Sequence, residues 1–236
     1  MERLKRQIRW IDRADRAFAA LFCTVMVLGL LLTGSALLDG YRLTAEGIRP
    51  AVFHGFGELM AVNRDTAAWL RLEGTHIDHP VVQGKDNFEY LDRNFRGSFY
   101  AGGSLFLDAG CSRDMSDRVL IIHGHDMAGG AMFGDLKLFA DPPFFRAHGE
   151  GELLTPEGDY ALLVAGVARV NAYDPAVYDE REDLDRVIER LALFESGARE
   201  VEWTSEDRLL LLSTCAGEGN DERTVVFCRM REEGDE

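Results

Sequence analysis

The sequence predicts a mainly-β domain, a β-barrel with a few helical insertions, preceded by a single hydrophobic helix. Three observations predict it. Short apolar runs bounded by turn residues recur between residues 81 and 227, as buried strands require. One stretch, Asp183–Phe194, breaks that rhythm with a helical spacing of apolar residues. Ahead of the whole region, 22 consecutive residues carry no charge.

The elements follow in order. Residues 1–16 hold six basic and three acidic side chains, a net +3; the remaining 220 residues hold 20 basic and 38 acidic, a net −18. Ala17–Leu38 is the uncharged run. As a helix it would measure about 33 Å, enough for a hydrocarbon core of about 30 Å. It is longer than the apolar region of a cleaved signal peptide, and Gly34-Ser35-Ala36 at its end is a weak cleavage site, so the run is expected to be an uncleaved anchor. The basic flank, with Trp10 at the entry, places residues 1–16 in the cytoplasm and everything after Asp39 outside the cell. Residues 39–66 form a membrane-proximal segment, helical around Ala45–Val62. Residues 67–236 then make one folded domain, with no linker or repeat inside it.

Within that domain Ala67–Leu72 leads into a turn-rich stretch, Gly74–Pro80. Val81–Gln83 reads as a short strand, and Asp86–Asn94 as a short helix or turn. Leu105–Leu107, Val119–Ile122, Glu152–Leu154 and Tyr160–Val170 read as strands, the last two joined through the turn residues Pro156–Asp159. In Asp183–Phe194, Leu184, Val187, Ile188 and Leu191 form an apolar stripe, and Gly197 supplies a stop signal. Arg208–Leu212 and Thr224–Phe227 return to strand.

Composition excludes several classes. With 46% hydrophobic and 28% charged residues the chain is globular. A net charge of −15 argues against a nucleic-acid binder. Four cysteines are too few for a disulfide scaffold, and the absence of CxxC and HExxH argues against a zinc site. The acidic surface is read as a solvated face, and Glu232–Glu236 as a frayed tail.

Reactive residue types gather at two strand ends. Leu209–Leu212 runs into Ser213-Thr214-Cys215, a glycine-rich loop follows, and Arg223 opens the next strand. Leu120–Ile122 runs into His123-Gly124-His125. A thiolate that attacks a carbonyl, an imidazolium that protonates a leaving amine and a guanidinium that donates to an oxyanion form a coherent set. On spacing alone, a lone cysteine is more often an inert core residue. Cys228, five residues from Arg223, falls on the opposite strand face and reads as a buried thiol; a pairing with Cys215 or Cys111 is the alternative, and Cys23 is an apolar residue of the anchor.

LSTC at Leu212–Cys215, with Arg223 eight residues on, resembles the signature of the sortases, cysteine transpeptidases of Gram-positive cell surfaces. Ala68–Leu91, Gly103–Gly110, His123–Phe139 and Leu211–Arg229 resemble class B segments in the right order. The helix before the cysteine strand resembles the class B insertion, and the N-terminal anchor suits the family's topology. The resemblance implies a closed barrel of about eight strands, with N-terminal helices and a long helix inserted before the catalytic-cysteine strand. It implies Cys215 as nucleophile, His125 as general acid/base and Arg223 as the oxyanion-stabilising arginine. It implies cleavage of an NPxT-like sorting motif through a thioacyl-enzyme and transfer to an amine of a peptidoglycan precursor or a pilin lysine, with surface proteins or pilins as substrates. No metal or other cofactor is expected.

Two positions depart from this pattern or rival it. Class B enzymes commonly carry tyrosine where His123 stands, and Arg229 is a rival to Arg223. Asn87, Ser213, Glu218 and His123 are candidates for the substrate groove; Ser213 shares the strand face of Cys215 at period two. A non-catalytic, membrane-tethered peptide-binding barrel and a cysteine protease that uses water as acceptor remain the alternatives.

Overall fold

The computed structural model describes Thr24, Met26, Val27 and residues 55–178, 183–193, 195–215 and 221–232. The fold is that of the second of the chain's two units, Pro50–Glu236. The expected tail (1–16), all but three residues of the expected span (17–38) and residues 39–54 lie outside the described residues. Among the described residues no helix is long and apolar enough to cross a membrane.

In chain order the elements are α1 (Phe56–Val62), β1 (Thr66–Leu72), β2 (Asp78–Val82), β3 (Leu105–Leu107), β4 (Val119–Gly124), two 3-10 turns at Ala128–Gly130 and Leu136–Ala140, α2 (Pro142–Ala147), β5 (Glu150–Leu154), β6 (Asp159–Asn171), α3 (Pro175–Tyr178), α4 (Leu184–Ala192), β7 (Glu195–Ala198), β8 (Arg208–Cys215) and β9 (Glu222–Glu232). The sheet runs β5-β1-β2-β3-β4-β8-β9-β6, and a β5–β6 pairing closes it into a ring of eight strands. β7 is a ninth strand on the second half of β6. Closure leaves no exposed edge along most of the ring.

The 13-residue β6 serves two neighbours along one edge, β5 through Asp159–Leu163 and β7 through Gly166–Ala168. Its register to β9 shifts between Val164 and Gly166. The bulge needs a glycine there, because a Cβ on Gly166 would collide with the Phe227 ring.

Two apolar layers sandwich the wall β4–β8–β9. Leu120, Ile122, Leu210, Leu212, Val226 and Cys228 belong to the cluster that fills the barrel. Val119, Ile121, Leu209, Leu211, Val225 and Phe227 belong to a second cluster outside it, roofed by Leu184, Val187 and Leu191 of α4. Burial on both faces is why β4 and β8 read as continuous apolar runs instead of alternating ones. It also hid β1: Ala67, Ala68, Trp69, Leu70 and Leu72 are all buried, so no alternation marks it.

Some expectations change. The inserted helix is short, nine residues, capped by the Asp183 carboxylate, which accepts from the Asp185 and Arg186 backbone N–H groups. It ends at Ala192, and Gly197 lies in β7 instead of terminating it. Asp86–Asn94 forms turns, and β8 continues through Ser213 and Thr214 to Cys215.

Candidate active site

The outer face of β4–β8–β9 changes character along its length. Under α4 it is apolar; beyond the end of that cover the same face continues as His123 on β4, Ser213 and position 215 on β8, and Arg223 on β9. The register fixes their neighbours. His123 pairs with Ser213, Gly124 with Thr214, and Cys215 with Arg223. His125 follows directly on Gly124, the last residue of β4 in the register, and Cys215 follows directly on Thr214, its partner. The backbones of Cys215 and Arg223 therefore lie side by side, about 4.8 Å apart, at the end of β8–β9 next to the end of β4 that His125 follows.

The two histidines are held differently. His125 Nε2 lies 2.8 Å from the Leu91 carbonyl oxygen, which can only accept, so Nε2 carries the proton. The segment presenting that carbonyl is pinned by Tyr90, whose hydroxyl donates to Asp65 Oδ2 at 2.7 Å. Burial pushes the Tyr90 phenol up to about 12, so it stays a donor. His123 Nε2 lies 2.9 Å from Asp108 Oδ2. Between them, Gly124 admits the packing that fixes both: a Cβ there would fall 2.5 Å from Leu105 Cδ2 and 2.8 Å from Phe133 Cδ2.

The Arg223 Nη1 donates to the Glu222 carbonyl at 3.3 Å, a use of one of its five N–H donors. Arg229, its rival, pairs with Leu209 at the other end of β8, its Nε 3.9 Å from Asp207. Six residues along a strand amount to roughly 20 Å, which removes it from this end of the sheet.

The groove candidates fare unequally. Ser213 is buried, and its hydroxyl shares a 3.0 Å hydrogen bond with the Tyr178 hydroxyl. Asn87 donates to Asp108 Oδ2 at 2.7 Å and accepts from the Ala109 N–H at 2.7 Å, so it braces the β3–β4 turn. Glu218 lies outside the described residues. Tyr178 and Asp108 escaped the sequence reading. Tyr178 is set over the face by α3, whose first turn is capped by the buried Asp174, itself 2.7 Å from Arg190 of α4. Among the described residues no group of three His, Cys, Asp or Glu side chains converges as a metal site. Cys228 is a free thiol inside the barrel, pushed up to about 12 by burial and opposed only in part by Arg199; Cys111 is buried as well.

No family model matches the chain. Sortase B of Listeria monocytogenes is 29% identical over 169 residues, which cover 70% of this chain and 69% of that protein. A class B sortase of Streptococcus pyogenes involved in pilus biogenesis superposes with a TM-score of 0.70 at 31% identity, over 75% of this chain and 98% of that one. The Staphylococcus aureus sortase B–substrate complex superposes with a TM-score of 0.69 at 25% identity, over 82% and 91%. With its eight-stranded barrel, its strand-end cysteine, histidine and arginine, and relatives matched along most of their own length, the chain belongs to the sortase family of cysteine transpeptidases and within it stands nearest to class B.

Proposed function

We propose that this transpeptidase is held at the membrane by residues 17–38 and works outside the cell on C-terminal, NPxT-like sorting motifs of surface proteins or pilins. The observation that carries the site assignment is the register, in which Cys215 faces Arg223 across β8–β9 while His125 follows the end of β4, one residue past the Gly124–Thr214 pair. The Cys215 thiolate attacks the threonine carbonyl carbon of the motif, and the carbonyl π pair moves to oxygen. Arg223 donates N–H groups to that oxyanion, a contact made only as charge develops. As the carbonyl re-forms, the peptide C–N bond breaks, and His125 in its doubly protonated form gives a proton to the departing amine. A thioester remains on Cys215. An amine of a peptidoglycan precursor or a pilin lysine attacks it, loses a proton to His125 and releases the thiolate. The substrate complex of the Staphylococcus aureus relative supports a substrate site on this fold, and the Streptococcus pyogenes relative involved in pilus biogenesis supports the pilin class.

The test incubates the purified extracellular domain with an NPxT-type peptide, with and without an amine acceptor. Amine-dependent ligation that vanishes in Cys215→Ala is the expected result. Turnover by water alone would make the chain a cysteine protease, and no thioacyl adduct with any peptide would make it a binding barrel. Protease treatment of whole cells digests residues 67–236 if the topology is right; protection of that domain would sink it.

A further inference from the structure

The Asp108 carboxylate is built into a fixed position. Oδ1 accepts from the Gly110 N–H at 2.9 Å, and Oδ2 accepts both from Asn87 at 2.7 Å and from His123 Nε2 at 2.9 Å. Asn87 is locked in turn by the Ala109 N–H. The Phe106 and Tyr178 rings lie 5.2 Å and 6.4 Å from the His123 ring, centroid to centroid, the Tyr178 ring within 22° of parallel. His123 is therefore confined in rotation and in tautomer. A carboxylate can only accept, so Nε2 bears the hydrogen, and in the neutral ring Nδ1 is left as a lone-pair acceptor. Among the described residues Nδ1 has no partner. The ring is about one-fifth exposed and stands on the outer face of β4, opposite Ser213 and one pleat, about 7 Å, short of position 215.

We propose that His123 is a specificity-determining residue of the peptide groove: its Nδ1 accepts a hydrogen bond from an N–H donor of the bound sorting peptide, and Asp108 and Asn87 are positioning residues that hold the tautomer needed for it. This rests on the reading of the Cys215 end of the sheet as the peptide site. It also gives Asn87 a role one step back from the substrate, and it explains how a residue with two exchangeable nitrogens can present a single, defined acceptor.

The test uses the Cys215→Ala protein, so that binding is read without turnover, and a fluorescently labelled NPxT-type peptide. His123→Asn keeps an acceptor oxygen near the place of Nδ1 and is expected to bind within about twofold of the parent. His123→Phe keeps the ring and loses the acceptor, and is expected to weaken binding roughly three- to tenfold. Asp108→Asn can donate to Nε2 and move the hydrogen to Nδ1; the ring 15N spectrum reports that change of tautomer, and binding weakens to the His123→Phe level. Equal affinity of the parent and His123→Phe overturns the proposal, as does a parent spectrum with the hydrogen on Nδ1. No binding by the Cys215→Ala protein, with the tautomer as described, overturns the peptide-site reading itself and removes the acceptor role with it.

Discussion

Replacing Gly124 by alanine tests how tightly the barrel wall sets the site. Gly124 separates His123 from His125, and an added Cβ would sit 2.5 Å from Leu105 Cδ2 and 2.8 Å from Phe133 Cδ2. Carbon atoms rest about 3.5–4.0 Å apart, so the neighbours or the strand must give by about 1 Å. Leu105 and Phe133 are at most 1% exposed and have no solvent to retreat into. Overpacking of this kind costs about 1–3 kcal/mol. For a domain of this size each kcal/mol moves Tm by about 2–4 °C, so calorimetry should record a fall of roughly 2–12 °C. The activity loss should be larger in proportion, because about 1 Å of displacement at a reacting group costs about a hundredfold in rate. Leu105→Ala in the same protein opens the space, and kcat/KM for peptide ligation should partly recover. A Gly124→Ala enzyme with unchanged Tm and unchanged kcat/KM would refute the reasoning, since the two histidines would then not depend on that contact.

Other predictions concern groups away from the reaction. Asp207 is fully buried; burial alone would raise its pKa, but hydrogen bonds from the Thr204 N–H and hydroxyl and from Arg231 hold it below the ordinary value of 3.8. Its stabilisation is full above pH 3.8 and is lost as pH falls through the lower folded-state value. Asp207→Ala leaves the Thr204 donors unpaired and the partly exposed arginines free to be solvated, so it should cost about 1–3 kcal/mol at pH 7, and less at the acid end of a denaturation series. His79 is buried in β2 with no partner for Nε2 among the described residues, and burial lowers its pKa from 6.5 despite the nearby Asp78. The unfolded chain takes up the proton first, so stability is full above pH 6.5 and declines below it. His79→Leu should flatten Tm against pH between 7.5 and 5; an identical slope would dismiss His79 as the cause. Cys228, held up to about 12, should escape iodoacetamide at pH 8 in the native protein and react in guanidinium, as peptide mapping would show.

The barrel was legible where strands are buried on both faces, because Val119–Ile122 and Leu209–Leu212 leave no other role for a short, turn-bounded apolar run. The same double burial concealed β1, whose Ala67-Ala68-Trp69-Leu70 has neither alternation nor a β-branched signal. The helix Leu184–Ala192 was legible from its apolar stripe, but its end was not, since nothing local distinguishes a helix that ends at Ala192 from one that runs to Phe194. At the site, the reactive residue types at strand ends were readable. Their partners were not: Leu91 reaches His125 across 34 residues, and Tyr178 reaches Ser213 across 35. Such pairings depend on how the ring of strands closes, which no local pattern encodes. Asn87 was expected in the substrate groove; its bonds to Asp108 and Ala109 make it a brace of the turn between β3 and β4.

One face of three strands performs two jobs, and the boundary between them is set by a helix. On β8 the outward positions are Leu209 and Leu211 under α4, then Ser213 under Tyr178, then position 215. Apolar side chains hold α4 in place; α4 holds α3 through Arg190 and Asp174; α3 holds Tyr178 over the last covered position. Among the described residues the apolar cover of the face thus ends at Ser213, held by a chain of contacts that runs from α4 through α3 to Tyr178. The inward positions keep the same residue types inert. Cys228 faces the barrel interior, where a thiolate is too costly to form, whereas position 215 stands on the opposite face, beside Arg223. Strand parity and helix coverage, more than residue identity, separate the buried cysteine of β9 from the strand-end cysteine of β8.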